Sequence, residues 1–143
     1  MAESWTPPAH GTPCWINLFA TDVLRARKFY EEVFGWKFRD SITTMDGREE
    51  DPNEIVHFSL GPTSPGGGIT KVQAEDFLRT QGKGSPVIYL MVDELKSTIE
   101  KVVAAGGKKM TEAEPEGTRA YMQHYEDTEG NYGGLYMLKK DFR

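Results

Sequence analysis

The sequence has a single cysteine, Cys14, so no internal disulfide can form, and a reducing, cytoplasmic setting is expected. Long apolar runs are missing as well: the longest, such as 87–92, fall far short of a bilayer's thickness. There is no excess of positive charge. The net charge is −5, with 17 lysines and arginines spread among 22 acids, so neither nucleic acid nor a membrane is expected as a partner. Segment 1–11 has no basic start and no apolar centre. It reads as a loose N-terminal tail rather than a secretory signal. The Gly66-Gly67-Gly68 run is no phosphate loop, because it lacks the lysine and the following helix that such a loop needs.

What is present suits one globular domain at 12–143, with 38% hydrophobic and 27% charged residues. The chain is written twice. A strand-like run at 15–20 leads to Asp22, Leu24 and a helical pattern ending at Gly35; a second run at 87–92 leads to Asp93, Leu95 and a helical pattern ending at Gly106. Each aspartate stands 13 residues before its glycine. Asp22 and Asp93 are suited to cap the helices at 22–34 and 93–105, because a carboxylate accepts from the free amides of a first turn. Apolar Leu24, Ala26, Phe29, Tyr30, Val33 and Phe34 follow helical spacing, as do Leu95, Ile99, Val102 and Val103. Shorter strands are expected at 36–42, 55–60 and 67–72, with Asp46-Gly47 as a turn. In the second half they are expected at 108–111, 119–125 and 132–138, with a tight turn at Glu129-Gly130-Asn131. The fold class is therefore α+β, with βαβββ modules at 12–72 and 86–140 and a linker at 73–85. A lone module would leave one sheet face bare, so the two should pack together.

These residues carry a family resemblance. Phe29-Tyr30-Glu31-Glu32-Val33-Phe34-Gly35-Trp36 after a Thr-Asp-x-Leu turn, the Gly66-Gly67-Gly68-Ile69 stretch, and Asp127-Thr128-Glu129-Gly130-Asn131 resemble the vicinal oxygen chelate superfamily. That group includes glyoxalase I, extradiol dioxygenases, fosfomycin-resistance enzymes and bleomycin-binding proteins. The resemblance spans roughly 12–138 and implies one domain built around a small-molecule pocket. It also implies four metal-ligand positions, which fall here on Trp15, Gly68, Val87 and Gly134. None offers an imidazole, carboxylate or thiolate to a divalent ion, so no metal is expected in that place and no cofactor is expected.

The three histidines are His10 in the tail, His57 and His124. His57 and His124 lie on strands, and each faces either a pocket or the outer surface. If Trp15 faces the pocket, alternation brings Asn17 and Phe19 to the same face; Val87 brings Tyr89 and Met91, and Gly134 brings Tyr132 and Tyr136. Such a lining suits a planar or largely apolar ligand, with Gly68 and Gly134 leaving room for it. The alternative is that these side chains fill the core. Arg119 could pair with a ligand carboxylate or stand in solvent. Cys14 lies on the face opposite Trp15 and reads as a small buried residue.

The expected ligand-binding residues are thus Trp15, Asn17, Phe19, Gly68, Tyr89, Arg119, Gly134 and Tyr136, and the candidate catalytic ones His57, Tyr89 and Tyr121. Either a ligand-sequestering protein or a metal-independent isomerase, cyclase or lyase fits this pattern. A metal-dependent lyase or dioxygenase with an atypical site around His57 is the alternative. A homodimer is left open.

Overall fold

The computed structural model describes residues 7–10, 12–40, 42–77 and 86–142. Most of the expected tail, and the part of the linker beyond residue 77, lie outside the described residues. Residues 73–77 hold a 3-10 turn (Ala74–Asp76).

The first module runs β1 (Trp15–Ala20), α1 (Val23–Phe34), β2 (Lys37–Phe38), β3 (Ile55–Ser59) and β4 (Gly66–Lys71). The second runs β5 (Tyr89–Met91), α2 (Leu95–Ala104), β6 (Lys108–Lys109), β7 (Glu114–Glu116), β8 (Ala120–Glu126) and β9 (Tyr132–Leu138). The sheets share one order. In the first it is β1-β4-β3-β2, in the second β5-β9-β8-β6, with β7 added beside β8. In both, the first strand pairs in parallel with the last and the remaining pairs are antiparallel. The two-module α+β architecture expected from the repeat is what the chain adopts.

Local chemistry explains the elements and the departures from expectation. Asp22 caps α1, accepting from the Arg25 backbone amide at 3.0 Å, and Gly35 ends the helix at φ 69°, where a side chain would be strained. The second helix has Glu94 rather than Asp93 in the N-cap position, with no side-chain bond to the first turn. The strand-to-helix spacing accounts for this, since Asn17 to Val23 and Tyr89 to Leu95 are both six residues, which makes Glu94 the counterpart of Asp22. The buried stripe of α1 is Val23, Ala26, Phe29 and Tyr30, and Leu24 is exposed; α2 buries Leu95, Ile99 and Val102 and exposes Val103.

The strand expected at 36–42 stops after two residues because the following chain satisfies itself locally. Thr44 donates to the Arg48 carbonyl at 2.7 Å and Glu50 to the Ile42 carbonyl at 2.9 Å, around Gly47. Strand β7 was missed because Pro115 interrupts its pattern, and proline is tolerated there only because the strand lies at a sheet edge. Cys14 is exposed, not buried, since it stands one residue ahead of β1, where alternation no longer governs it.

Both helices pack on one face of their sheets, and the core between them is continuous across the modules. Tyr30 stacks on Trp36 and Trp36 meets Phe58 at a tilt, each pair with centroids 4.4 Å apart, while Phe29 stacks on Tyr125 of the second module at 6.3 Å. Truncating a ring as deeply buried as Phe29 costs about 3–5 kcal/mol. The cavity left at this junction, between Leu18, Tyr30, Leu90 and Tyr125, measures ≈ 30 Å³, enough for a water molecule and nothing larger. Larger openings lie elsewhere: a cleft of ≈ 420 Å³ between the two helices, beside Phe29 and Gly106, and a pocket of ≈ 410 Å³ on the outer face of the second sheet.

Candidate functional site

The Asp127–Asn131 turn is a structural clasp. Asp127 accepts from the Glu129 and Asn131 backbone amides at 2.8 and 2.9 Å, the Asn131 side chain at 2.9 Å and the Tyr30 hydroxyl at 2.8 Å. Burial pushes the Asp127 carboxyl up, and these four donors oppose that push. Burial also holds the Tyr30 phenol well above its ordinary value, so it remains a donor. Glu129 reaches the first module, accepting from the Asp22 amide at 3.1 Å and from Arg25 Nε and Nη2 at 2.6 and 2.9 Å. Burial raises the Glu129 carboxyl, but these bonds outweigh it and leave the group below its ordinary range. Asn131 donates to the Phe19 carbonyl at 2.8 Å. The acids of this turn thus fasten the modules and are spent on structure.

The outer sheet faces hold two matching arrangements. On the first sheet Gly68 is flanked in register by Asn17 and His57; on the second Gly134 is flanked by Tyr89 and His124. Each glycine seats an aromatic ring. A methyl group on Gly134 would lie 2.3 Å from Cδ1 of Tyr89, and one on Gly68 3.3 Å from Cζ2 of Trp15. The room expected at these glycines is taken up by the chain's own rings. The rings still present area to solvent, Trp15 being 50% and Tyr89 42% exposed.

On the first face, His57 Nε2 lies 2.6 Å from Glu50 Oε2, and its ring meets Trp15 edge-on at 5.6 Å. Asn17 Oδ1 accepts from Trp15 Nε1 and Thr70 Oγ1, both at 3.3 Å, which leaves its carbonyl occupied. Phe19 is half-exposed on the same face. His57 also lines a ≈ 220 Å³ cleft with Arg27, Arg39, Asp40 and Glu50 at the edge where β2 ends early, a feature the sequence patterns did not bring out.

The second face holds more chemistry. His124 Nε2 lies 2.7 Å from the Tyr89 hydroxyl, and its Nδ1 lies 3.3 Å from Thr111 Oγ1. Thr111 Oγ1 accepts from the His124 backbone amide at 2.9 Å, so its own hydrogen is free to turn to Nδ1. Every group is then satisfied if His124 is neutral with its proton on Nε2, donating to Tyr89. Burial lowers the His124 pKa, an effect that the charge of Glu114 opposes in part, and so favours the neutral ring. The phenol hydrogen of Tyr89 then turns to the Met122 sulfur, 3.9 Å away on the pocket wall. Tyr132 stacks on His124 at 5.2 Å. Tyr89 and Tyr136 open onto a pocket of ≈ 410 Å³ with Met122 and Glu116, and the Tyr136 hydroxyl donates to Glu116 Oε2 at 3.1 Å.

Of the expected catalytic residues, then, His57 and Tyr89 stand on separate sheets. Tyr121 falls on the core side of β8, out of step with Met122 and His124. Among the ligand-binding candidates, Trp15, Asn17, Phe19 and Gly68 form the first face, and Tyr89, Gly134 and Tyr136 the second. No hydrogen bond or ring contact joins the two groups among the described residues. Arg119 is exposed with its guanidinium 5.4 Å above the Phe142 ring. The pairing of His124 with Tyr89 was overlooked, although the hairpin fixes half of it by setting His124 beside Gly134, on which Tyr89 sits. His124 and Gly134 are equally distant from Glu129, so the turn sets them opposite one another.

The metal positions can now be tested against the structure. Trp15, Gly68, Val87 and Gly134 carry no suitable donor atoms, and rings cover both glycines. Among the described residues, no three His, Cys, Asp or Glu side chains gather to hold an ion. The residues present do not fit the metal that the fold family implies. Nor, among the described residues, is any helix long and apolar enough to cross a membrane.

Two βαβββ modules in this order, fastened by an acidic-glycine-asparagine turn, define the vicinal oxygen chelate fold. The family model described as "Glyoxalase/Bleomycin resistance protein/Dioxygenase superfamily" matches residues 13–132, and the chain belongs to that superfamily. A glyoxylase-like domain-containing protein of Didymella fabae is 34% identical over 123 residues, covering 85% of this chain and 90% of that one. The putative glyoxylase CFP32 of Mycobacterium tuberculosis (strain CDC 1551 / Oshkosh) is 29% identical over 143 residues. That match covers 91% of this chain and 47% of CFP32, so the chain spans about half the relative's length. Among solved structures, a glyoxalase-related enzyme from Fulvimarina pelagi shares the fold with a TM-score of 0.65 at 20% identity, over 89% of this chain and 88% of that one.

Proposed function

We propose that this chain binds a small, flat, largely apolar molecule on the outer face of its second module, without help from a metal. The observation that carries this reading is the Tyr89 ring, seated on Gly134, tied to His124 and half-exposed beside the pocket it shares with Tyr136 and Met122. Aromatic walls bury much apolar area at little entropic cost, and the hydroxyls of Tyr89 and Tyr136 orient polar groups. The wider family hosts many chemistries, so membership names no substrate. The single exposed Cys14 supports a reducing, cytoplasmic setting.

A second reading, metal-independent catalysis, is favoured by the Thr111–His124–Tyr89 chain. With Nε2–H of His124 donating to it, the Tyr89 oxygen can pass its own proton from the weakly accepting Met122 sulfur to a ligand oxygen and hold the resulting negative charge, the work of a general acid. The test is to incubate the purified protein with an extract of its host and identify retained compounds by mass spectrometry, beside a Tyr89→Ala variant. Retention by the parent and loss by the variant supports the site. Equal retention by both places the ligand elsewhere. A retained compound that is chemically changed by the parent and unchanged by His124→Gln distinguishes turnover from sequestration.

A further inference from the structure

The second face is more than apolar, and its composition specifies the sign of the ligand's charge. Tyr89 and Tyr136 supply two π-faces to one pocket, Met122 supplies a polarisable thioether, and Glu116 supplies a carboxylate on the wall. The carboxylate is fixed by the Tyr136 hydroxyl at 3.1 Å, and one hydrogen bond leaves lone pairs to spare on its two oxygens. Glu114, on the same edge strand β7, adds a second negative charge whose field reaches His124. The positive group near Tyr136 is Arg119, and its guanidinium lies over the Phe142 ring. Aromatic faces attract cations through their quadrupole, and tyrosines set around a carboxylate are how proteins hold alkylammonium groups that cannot donate hydrogen bonds. A ligand anion would meet Glu116 and Glu114 instead. From this we infer that the second-module pocket takes an organic cation, a substituted ammonium group carried on a flat or apolar body, with the ammonium between Tyr89 and Tyr136 facing Glu116. The inference rests on the proposed binding face and names the class of molecule that face accepts.

The test uses two probes of one shape, 4-(trimethylammonio)phenol and 4-tert-butylphenol, which differ in a charged nitrogen against a neutral carbon. Each is titrated into the full chain carrying 13C-methyl methionine, and the Met122 methyl signal is followed by NMR. The expected result is a saturable shift of Met122, with the cation binding more tightly by about fivefold or more. Glu116→Gln should cut that preference to within about twofold, and Tyr136→Phe, which releases the carboxylate but keeps the π-face, should retain it. Equal binding of the two probes, or preference for the neutral one, overturns the cation assignment while leaving the binding face intact. Failure of both probes to move Met122 overturns the assignment and the binding face together. A cation preference that survives Glu116→Gln and Tyr89→Ala unchanged also overturns it, since the charge is then read elsewhere.

Discussion

The seat of Tyr89 on Gly134 makes a sharp prediction, because the space is contested by a ring that can leave. A Cβ at position 134 would stand 2.3 Å from Tyr89 Cδ1 and 2.4 Å from Cε1. Carbon atoms pack at about 3.5–4.0 Å, so the ring must retreat by more than about 1 Å. It is 42% exposed, so turning outward is open to it at the expense of the 2.7 Å bond to His124 and part of its packing. Gly134→Ala should therefore cost about 1–3 kcal/mol, the range of local overpacking plus one hydrogen bond. In a Tyr89→Ala background the obstacle is gone. The same substitution should then be neutral, or stabilising by up to about 1 kcal/mol, because alanine loses less backbone entropy than glycine in a strand. Gly133 provides the contrast: a Cβ there meets the Tyr125 ring at 2.6 Å, and that ring is 3% exposed with no way out. Gly133→Ala should sit at or above the top of the range in either background. Urea unfolding of the four variants in the Gly134/Tyr89 cycle measures the coupling directly. Equal cost of Gly134→Ala with and without the ring would refute the seat. Binding of an aromatic probe should fall with Gly134→Ala, since the displaced ring no longer frames the pocket.

Three further outcomes follow from the clasp, the relay and the missing donors. Glu129 sits below its ordinary range when folded, so it contributes stability above the usual glutamate pKa of 4.5 and loses it as pH falls through the folded value; Glu129→Gln should cost about 2 kcal/mol at pH 7 and progressively less below pH 4.5 in urea titrations, whereas a pH-independent cost would contradict the ion-pair account. His124 is lowered by burial, so its NMR titration midpoint should fall below 6.5, and the fold should weaken as pH drops below 6.5 because the unfolded chain takes up a proton that the folded chain refuses; a midpoint above 6.5 would contradict the neutral ring on which the Thr111–His124–Tyr89 chain depends. Elemental analysis of the purified protein should find no stoichiometric zinc, nickel, iron or manganese, and chelator should leave ligand binding unchanged; near one equivalent of metal, lost on His57→Ala, would revive a metal site around that histidine.

Much of the scaffold was legible because its signals are local and repeat. Gly35 demands a left-handed conformation, Asp22 finds amides to cap, and Tyr132–Leu138 follows directly on the Glu129-Gly130-Asn131 turn, so the sequence identifies each without knowledge of its neighbours. The errors fall where a second segment decides. Strand β2 stops because residues 42–50 close a small hairpin of their own, and β7 exists only because β8 offers a free edge to a segment containing Pro115. Leu24 and Val103 lie at the margins of amphipathic stripes, where a small rotation of the helix decides which side is buried.

The candidate site was legible by position and misread by content. Alternation put Tyr89, Gly134 and Tyr136 on one face, as the structure has them, but the glycines were taken as vacancies. A glycine on a strand marks a close approach without saying what approaches, and here the visitor is the chain's own neighbouring ring. Where the fold family implies a metal and its ligands, this chain sets a glycine in register with a histidine on each sheet and lays an aromatic ring over the glycine. The modules nevertheless differ in the groups beside that motif. Glu50 engages His57 on the first sheet, which ties up the imidazole, while a tyrosine hydroxyl engages His124 on the second and turns its own proton to the Met122 sulfur on the pocket wall. A duplicated scaffold has therefore kept its geometry twice, while the groups free to meet a ligand gather around Tyr89 and Tyr136.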